Sequence, residues 1–146
     1  MFNSFMNEAV KEAVKAYECG DVPVGAVIVQ NNKVIAAAHN RREADNDAAA
    51  HAEILAISTA GAVRGNWRLG DCDLYVTLEP CLMCCGAIRE ARIRRVYFGA
   101  YDKEYGYMVS NGDIRHRAEI YCGIMEDECL KLISEFFQKI RGGLNG

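Results

Sequence analysis

Between Phe5 and Ala16 the apolar residues Phe5, Met6, Ala9, Val10, Ala13, Val14 and Ala16 recur at spacings of three and four. This is the period of an amphipathic helix, with Asn3 or Ser4 expected to cap it and Cys19-Gly20 to end it. Pro23 then opens Val24-Gly25-Ala26-Val27-Ile28-Val29, a near-continuous apolar run that suits a strand covered on both faces. Gln30 to Lys33 is polar and reads as a turn, and Val34 to Ala38 returns as the second strand of a hairpin.

Asn40 to Asp47 is charged and without period, so a loop is expected there. Ala48 to Ala60 is rich in good helix formers and is expected to be helical, ending at Gly61. A loop around Trp67 and Leu69 leads to Asp73-Leu74-Tyr75-Val76-Thr77-Leu78, a strand. Pro80 turns the chain into a short helix over Cys81 to Ala91, and Arg95 to Gly99 is the next strand. Residues 101–117 are rich in Gly, Tyr and charge and carry no period that assigns them. Ala118 to Tyr121 reads as a short fifth strand, and Asp127 to Ile140 as an amphipathic helix using Leu130, Ile133, Phe136, Phe137 and Ile140. Helix, hairpin, helix, strand, helix, strand, helix is the order of an α/β sandwich with a mixed sheet.

At 146 residues, about half of them hydrophobic, the chain is one domain over 1–146 with enough core to fold without bridges. The net charge of −3 does not attract a polyanion at long range, so an RNA partner requires a local basic patch. Candidates are Arg41-Arg42, Arg64, Arg68, Arg89, Arg92, Arg94-Arg95 and Arg115/Arg117. Seven cysteines (an odd number) and an N-terminus without a basic signal region imply a reducing, cytoplasmic setting. Clustered Cys and His there bind metal more readily than they form disulfides. No apolar run approaches the roughly 20 residues of a membrane span.

Two short pieces carry the chemistry, His51-Ala52-Glu53 and Pro80-Cys81-Leu82-Met83-Cys84. Cys81 and Cys84 are spaced i, i+3, so on a helix they share a face. A helix N-terminus favours thiolate and so favours metal binding. With His51 they form a three-ligand set for Zn²⁺, which leaves a position open for water. Glu53 is then the acid/base that takes a proton from that water and delivers it to the substrate. Side chains two apart on an ideal helix diverge by about 200°. His51 and Glu53 therefore meet one cavity only if His51 lies in or near an irregular first turn. A lone C-x-x-C also fits a redox pair or half of a structural zinc site, and Cys72 or Cys85 is the candidate for a fourth ligand. The combination H-x-E with P-C-x-x-C is the signature of zinc nucleobase deaminases.

The chain resembles the cytidine-deaminase-like superfamily, and more closely the bacterial tRNA-specific adenosine deaminases. The matching stretches include Asp21 to Val29, His51 to Ile54, Leu74 to Cys81, Met83-Cys84, Gly86 to Ile88, Ala91 to Ile93, Val96 to Ala100, and Glu128-Cys129 leading to Glu135-Phe136-Phe137. The resemblance implies a three-layer α/β/α sandwich with a five-stranded mixed sheet, a homodimer, and conversion of adenosine to inosine at the wobble position of a tRNA anticodon. It also implies substrate contacts at Asn40, Val22, Pro23, Ala52 and Phe137. His39 and His116 read as surface or packing histidines. The pattern departs after Ala100, where Tyr101 replaces a cation and Glu104 stands where a lysine is expected. In the family this segment lies against tRNA, and fewer cations weaken phosphate binding. A zinc deaminase of a free base or nucleoside is therefore the competing reading, and a noncatalytic nucleic-acid-binding subunit the third.

Overall fold

The computed structural model describes residues 2–111 and 118–145, with side chains described to residue 142. Four helices and five strands follow one another as α1 (Phe2–Glu18), β1 (Gly25–Gln30), β2 (Lys33–His39), α2 (Ala52–Arg64), β3 (Asp73–Leu78), α3 (Leu82–Ala91), β4 (Arg95–Ala100), β5 (Glu119–Cys122) and α4 (Glu126–Asn145). The strands form one sheet in the order β2-β1-β3-β4-β5. β1 runs antiparallel to both β2 and β3, while β3, β4 and β5 are mutually parallel, so the sheet is mixed.

Period-2 alternation divides the central strands between two cores. Ala26, Ile28, Leu74, Val76, Val96 and Phe98 face the layer of α2 and α3, packing with Ala52, Ala56, Ala60, Cys85 and Ile88. Val27, Val29, Tyr75 and Tyr97 point the other way, against Met6 and Ala9 of α1 and Cys129 of α4. Both faces of β1, β3 and β4 are thus covered, which is why their sequences read as continuous apolar runs. The α1 layer sits unusually close to the sheet. A Cβ on Gly25 would overlap the carbonyl oxygen of Ala9 and the amide of Ala13.

The β1–β2 hairpin closes through Asn31 and Asn32 at φ 51° and 61°. Two residues at positive φ make the tight turn whose twist matches its strands, and asparagine tolerates that conformation. Several boundaries differ from the expected ones. α1 begins at Phe2, so Asn3 and Ser4 lie inside its first turn. α2 begins at Ala52, four residues beyond the expected Ala48. The alanines there favour a helix, but tertiary hydrogen bonds override propensity: Asn40 Oδ1 accepts the N–H of Ala52 (2.8 Å), and Ala50 N–H is turned onto the carbonyl of Asp47 (3.1 Å). α2 also runs through Gly61, an interior glycine that costs about 1 kcal/mol without breaking a helix. It stops at Gly65, whose left-handed φ of 67° lets its N–H bond back to Ala62.

The unassigned segment after β4 is a series of turns over residues 103–110, with Gly106 bridged to Cys81. The candidates Arg115, His116 and Arg117 lie outside the described residues. Among those described, no helix is long and apolar enough to cross a membrane.

Candidate active site

The carboxyl end of β3 leads through Pro80 into α3, and the start of α2 is packed beside it. Two helix N-termini therefore meet at one end of the parallel strands, where open α/β sheets place their ligands. His51 is the N-cap of α2, in extended conformation (φ −80°, ψ 149°). Cys81 is the N-cap of α3, also extended (φ −76°, ψ 177°). An N-cap side chain ordinarily accepts a hydrogen bond from its own helix. Neither does so here, and the imidazole and thiol are left free to turn into the space between the helices. Because His51 precedes the first helical residue, the 200° divergence does not apply, and His51 and Glu53 both stand beside the two thiols. In place of His51, Asn40 caps α2 from outside through its Oδ1.

His51 Nδ1 lies 3.6 Å from Cys81 Sγ and 3.5 Å from Cys84 Sγ, and the three atoms fall within 4.8 Å of one another. A tetrahedral zinc with Zn–S near 2.3 Å and Zn–N near 2.05 Å sets its S···N edges at about 3.6 Å. The donor spacing and the borderline-soft N/S/S donor set both fit that ion, with three protein ligands and one position open. Cys85 turns instead to the carbonyl of Pro80 (3.7 Å), and burial pushes its thiol up to about 12. Cys72 sits at the other end of β3, beside Arg64 and Asp71. Neither supplies a fourth ligand.

Without a cation the group is electrostatically frustrated. The Cys81 thiol is drawn down to about 4, first by the hydrogen bond from Cys84 and then by His51, against the opposing effect of burial. Cys84 is pushed far up, first because it holds its proton toward Cys81, then by burial and the charge of Glu53. The His51 imidazole is raised, mainly by its contact with Cys81. One negative charge is therefore carried by the pair, and a dication is what allows both thiols to ionise. Glu53 is 4% exposed, and burial lifts its carboxyl to about 7, with the Cys81 thiolate adding to the lift. A carboxyl that exchanges its proton near neutrality suits general acid/base work.

Of the other expected site residues, Asn40 (6% exposed) and Ala52 stand at the start of α2, joined by the Oδ1 bond. Among the described residues no protein acceptor meets Asn40 Nδ2. Val22 is half-buried and Pro23 buried, at the entrance to β1. Phe136 is core, in edge contact with Tyr17, whereas Phe137 is 44% exposed on α4. His39 is half-buried, its Nδ1 3.7 Å from the buried Glu12. Most of the candidate cations are held by protein groups: Arg41 by Asp45, Arg64 by Asp71, Arg94 and Arg95 by Asp73, and Arg68 and Arg92 over the ring of Trp67. Glu79, which the motif reading passes over, is buried immediately before Pro80 and turns its carboxylate to the loop after β4.

Residues 2–100 match the model of the cytidine and deoxycytidylate deaminase zinc-binding region. The chain belongs to that family of zinc-dependent deaminases, hydrolases that replace an exocyclic amine with oxygen. Within the family it is 46% identical over 143 residues to the tRNA-specific adenosine deaminase of Bacillus subtilis (strain 168), covering 94% of this chain and 89% of that protein. A solved structure from work on A-to-I editing by tRNA:A34 deaminases at the wobble position of transfer RNA superposes with a TM-score of 0.84. The two are 44% identical, over 88% of this chain and 98% of that one. Guanine deaminase from Bacillus subtilis also aligns, with a TM-score of 0.64 and 42% identity over 67% of this chain and 63% of that one.

Proposed function

We propose that the chain converts adenosine to inosine at the wobble position of a tRNA anticodon, releasing ammonia. The similarity to tRNA-specific adenosine deaminases over 94% of the chain carries this reading. In it, His51, Cys81 and Cys84 hold the zinc ion and Glu53 is the catalytic acid/base. Zinc, when bound, supplies the Lewis acidity that brings the pKa of a water to about 7. Glu53 takes one proton from the attacking water and delivers it to the ring nitrogen beside the reacting carbon. It then takes the proton left on the added hydroxyl and delivers it to the departing amine, so that the carbonyl forms as ammonia leaves. Its burial keeps bulk water from competing for that proton.

Asn40 positions the nucleoside through its amide NH₂, with Ala52 beside it and Val22 and Pro23 as the pocket wall. Phe137 is the aromatic contact from α4. The enzyme works as a cytoplasmic homodimer, a state that sedimentation of the purified protein tests. The exposed apolar residues Val63, Trp67, Leu82 and Met83 support a partner surface around α2 and α3.

The deciding assay incubates zinc-loaded protein with an anticodon stem-loop carrying a wobble adenosine, and in parallel with guanine, cytosine and adenine, following inosine and ammonia. Inosine in the stem-loop supports the proposal. Ammonia from a free base alone overturns it in favour of a small-substrate deaminase.

A further inference from the structure

Glu79 is 2% exposed at the end of β3, two residues before Cys81. Its carboxylate has four acceptor sites, and the loop after β4 fills all of them. Oε1 accepts the N–H of Asp102 (3.1 Å) and the hydroxyl of Ser110, while Oε2 accepts the N–H groups of Val109 (2.8 Å) and Ser110 (2.9 Å). The donors come from both ends of the segment 102–110, so a single carboxylate closes it into a loop. Two further main-chain bonds, the second of them part of a β-bridge, fix how that loop lies on the chain beneath it. Glu79 N–H donates to the carbonyl of Ala100, Tyr107 N–H donates to that of Pro80, and Gly106 is bridged to Cys81. Gly106 has no room for a side chain. A Cβ there would strike the carbonyl of Asp102 and come within 2.5 Å of the Glu79 carboxylate.

The loop held in this way presents exposed residues beside Cys81, among them Lys103, Glu104 and Tyr105, the last 65% exposed. We propose that Glu79 is a positioning residue for substrate. Its buried carboxylate templates the 102–110 loop and seats it against Cys81, setting how the polynucleotide around the reacting base is bound while leaving the deamination chemistry to other groups. This inference rests on the tRNA reading above. The Glu79 carboxylate is bonded to Asp102, Val109 and Ser110 and, among the described residues, to none of the three donor atoms, so its effect passes through the loop.

Glu79→Gln is nearly isosteric but offers acceptors on one side only. Its NH₂ group would face main-chain N–H donors, so about half of the anchoring bonds are lost. With the anticodon stem-loop as substrate, KM is expected to rise about tenfold, the scale of lost hydrogen bonds to a buried charge. The same variant should keep wild-type zinc per chain and a kcat within about threefold of wild type. Ser110→Ala removes one donor alone and spares the loop backbone, and it should raise KM about threefold in the same direction. Gly106→Ala should match Glu79→Gln.

Wild-type protein that fails to deaminate the stem-loop removes the tRNA reading itself. Active wild type with an unchanged KM in both Glu79→Gln and Ser110→Ala overturns the role of Glu79. Loss of zinc, or a fall confined to kcat, also overturns it, because the carboxylate would then be supporting the metal centre. If Glu79→Gln does not fold, Ser110→Ala decides by the same split.

Discussion

His51 and Cys81 occupy positions where a side chain normally caps its own helix, and both decline that bond. Their freedom from capping is what assembles three donor atoms at tetrahedral spacing beside a buried carboxyl. Replacing Glu53 with Gln is expected to leave zinc content unchanged and to lower kcat by about 10²- to 10⁴-fold, the usual contribution of a positioned acid/base. Burial raises the Glu53 carboxyl to about 7. As pH falls through that value the carboxylate takes up a proton and can no longer act as base, so kcat/KM falls on the acid side. The zinc charge favours the ionised form and draws the midpoint below 7. A pH–rate profile with no acid limb, or one whose midpoint lies above 7, contradicts this assignment. The donor residues and Glu53 are readable in the chain because H-x-E and P-C-x-x-C name their own chemistry. Asn40 as an external helix cap and Glu79 as a loop anchor are not, because their protein partners, the Ser110 hydroxyl apart, are main-chain N–H groups, which leave no mark in a residue pattern.

At the scale of elements, the five strands follow from alternation and apolar runs, since each central strand is buried on both faces. The start of α2 does not follow, because Ala48 to Ala50 favour a helix and it takes a bond to Asn40, twelve residues earlier, together with the turn of Ala50 onto Asp47, to make Ala52 the first helical residue. The packing of α1 on β1 gives a sharp test. Gly25→Ala places a methyl where Ala9 and Ala13 already stand, and should destabilise the fold by about 3 kcal/mol in chemical denaturation. A change below about 1 kcal/mol would mean that α1 is free to shift. A bound zinc ion would tie together the two helix starts that carry its donors, so chelation should lower the Tm by about 10 °C. The same treatment should leave the Tm of Cys84→Ala unchanged, and calorimetry with and without chelator reads the difference.

For the whole molecule, the net charge is −3, and Arg41, Arg64, Arg94 and Arg95 are paired with carboxylates, which makes those four less available to phosphates. Binding of the stem-loop should therefore depend on salt less steeply than the number of candidate cations alone implies. Glu104→Lys places a cation on the exposed loop and should tighten binding. It should also steepen the slope of log affinity against log salt by about 0.7 to 0.9 if the new lysine meets a phosphate. Equal slopes for variant and wild type would place the RNA elsewhere.

The hold of Glu79 on its loop also bears on how this enzyme could have changed over time. Three of its four donors are main-chain amides, and any residue except proline carries one. The exposed side chains at 103, 104 and 105 can therefore drift while the loop keeps its shape beside Cys81. A cation can become Tyr101 or Glu104 with no repair needed at His51, Cys81 or Cys84. The loop is a place where substrate preference can be retuned separately from catalysis, and proline at 102, 109 or 110 is the change such a history should avoid.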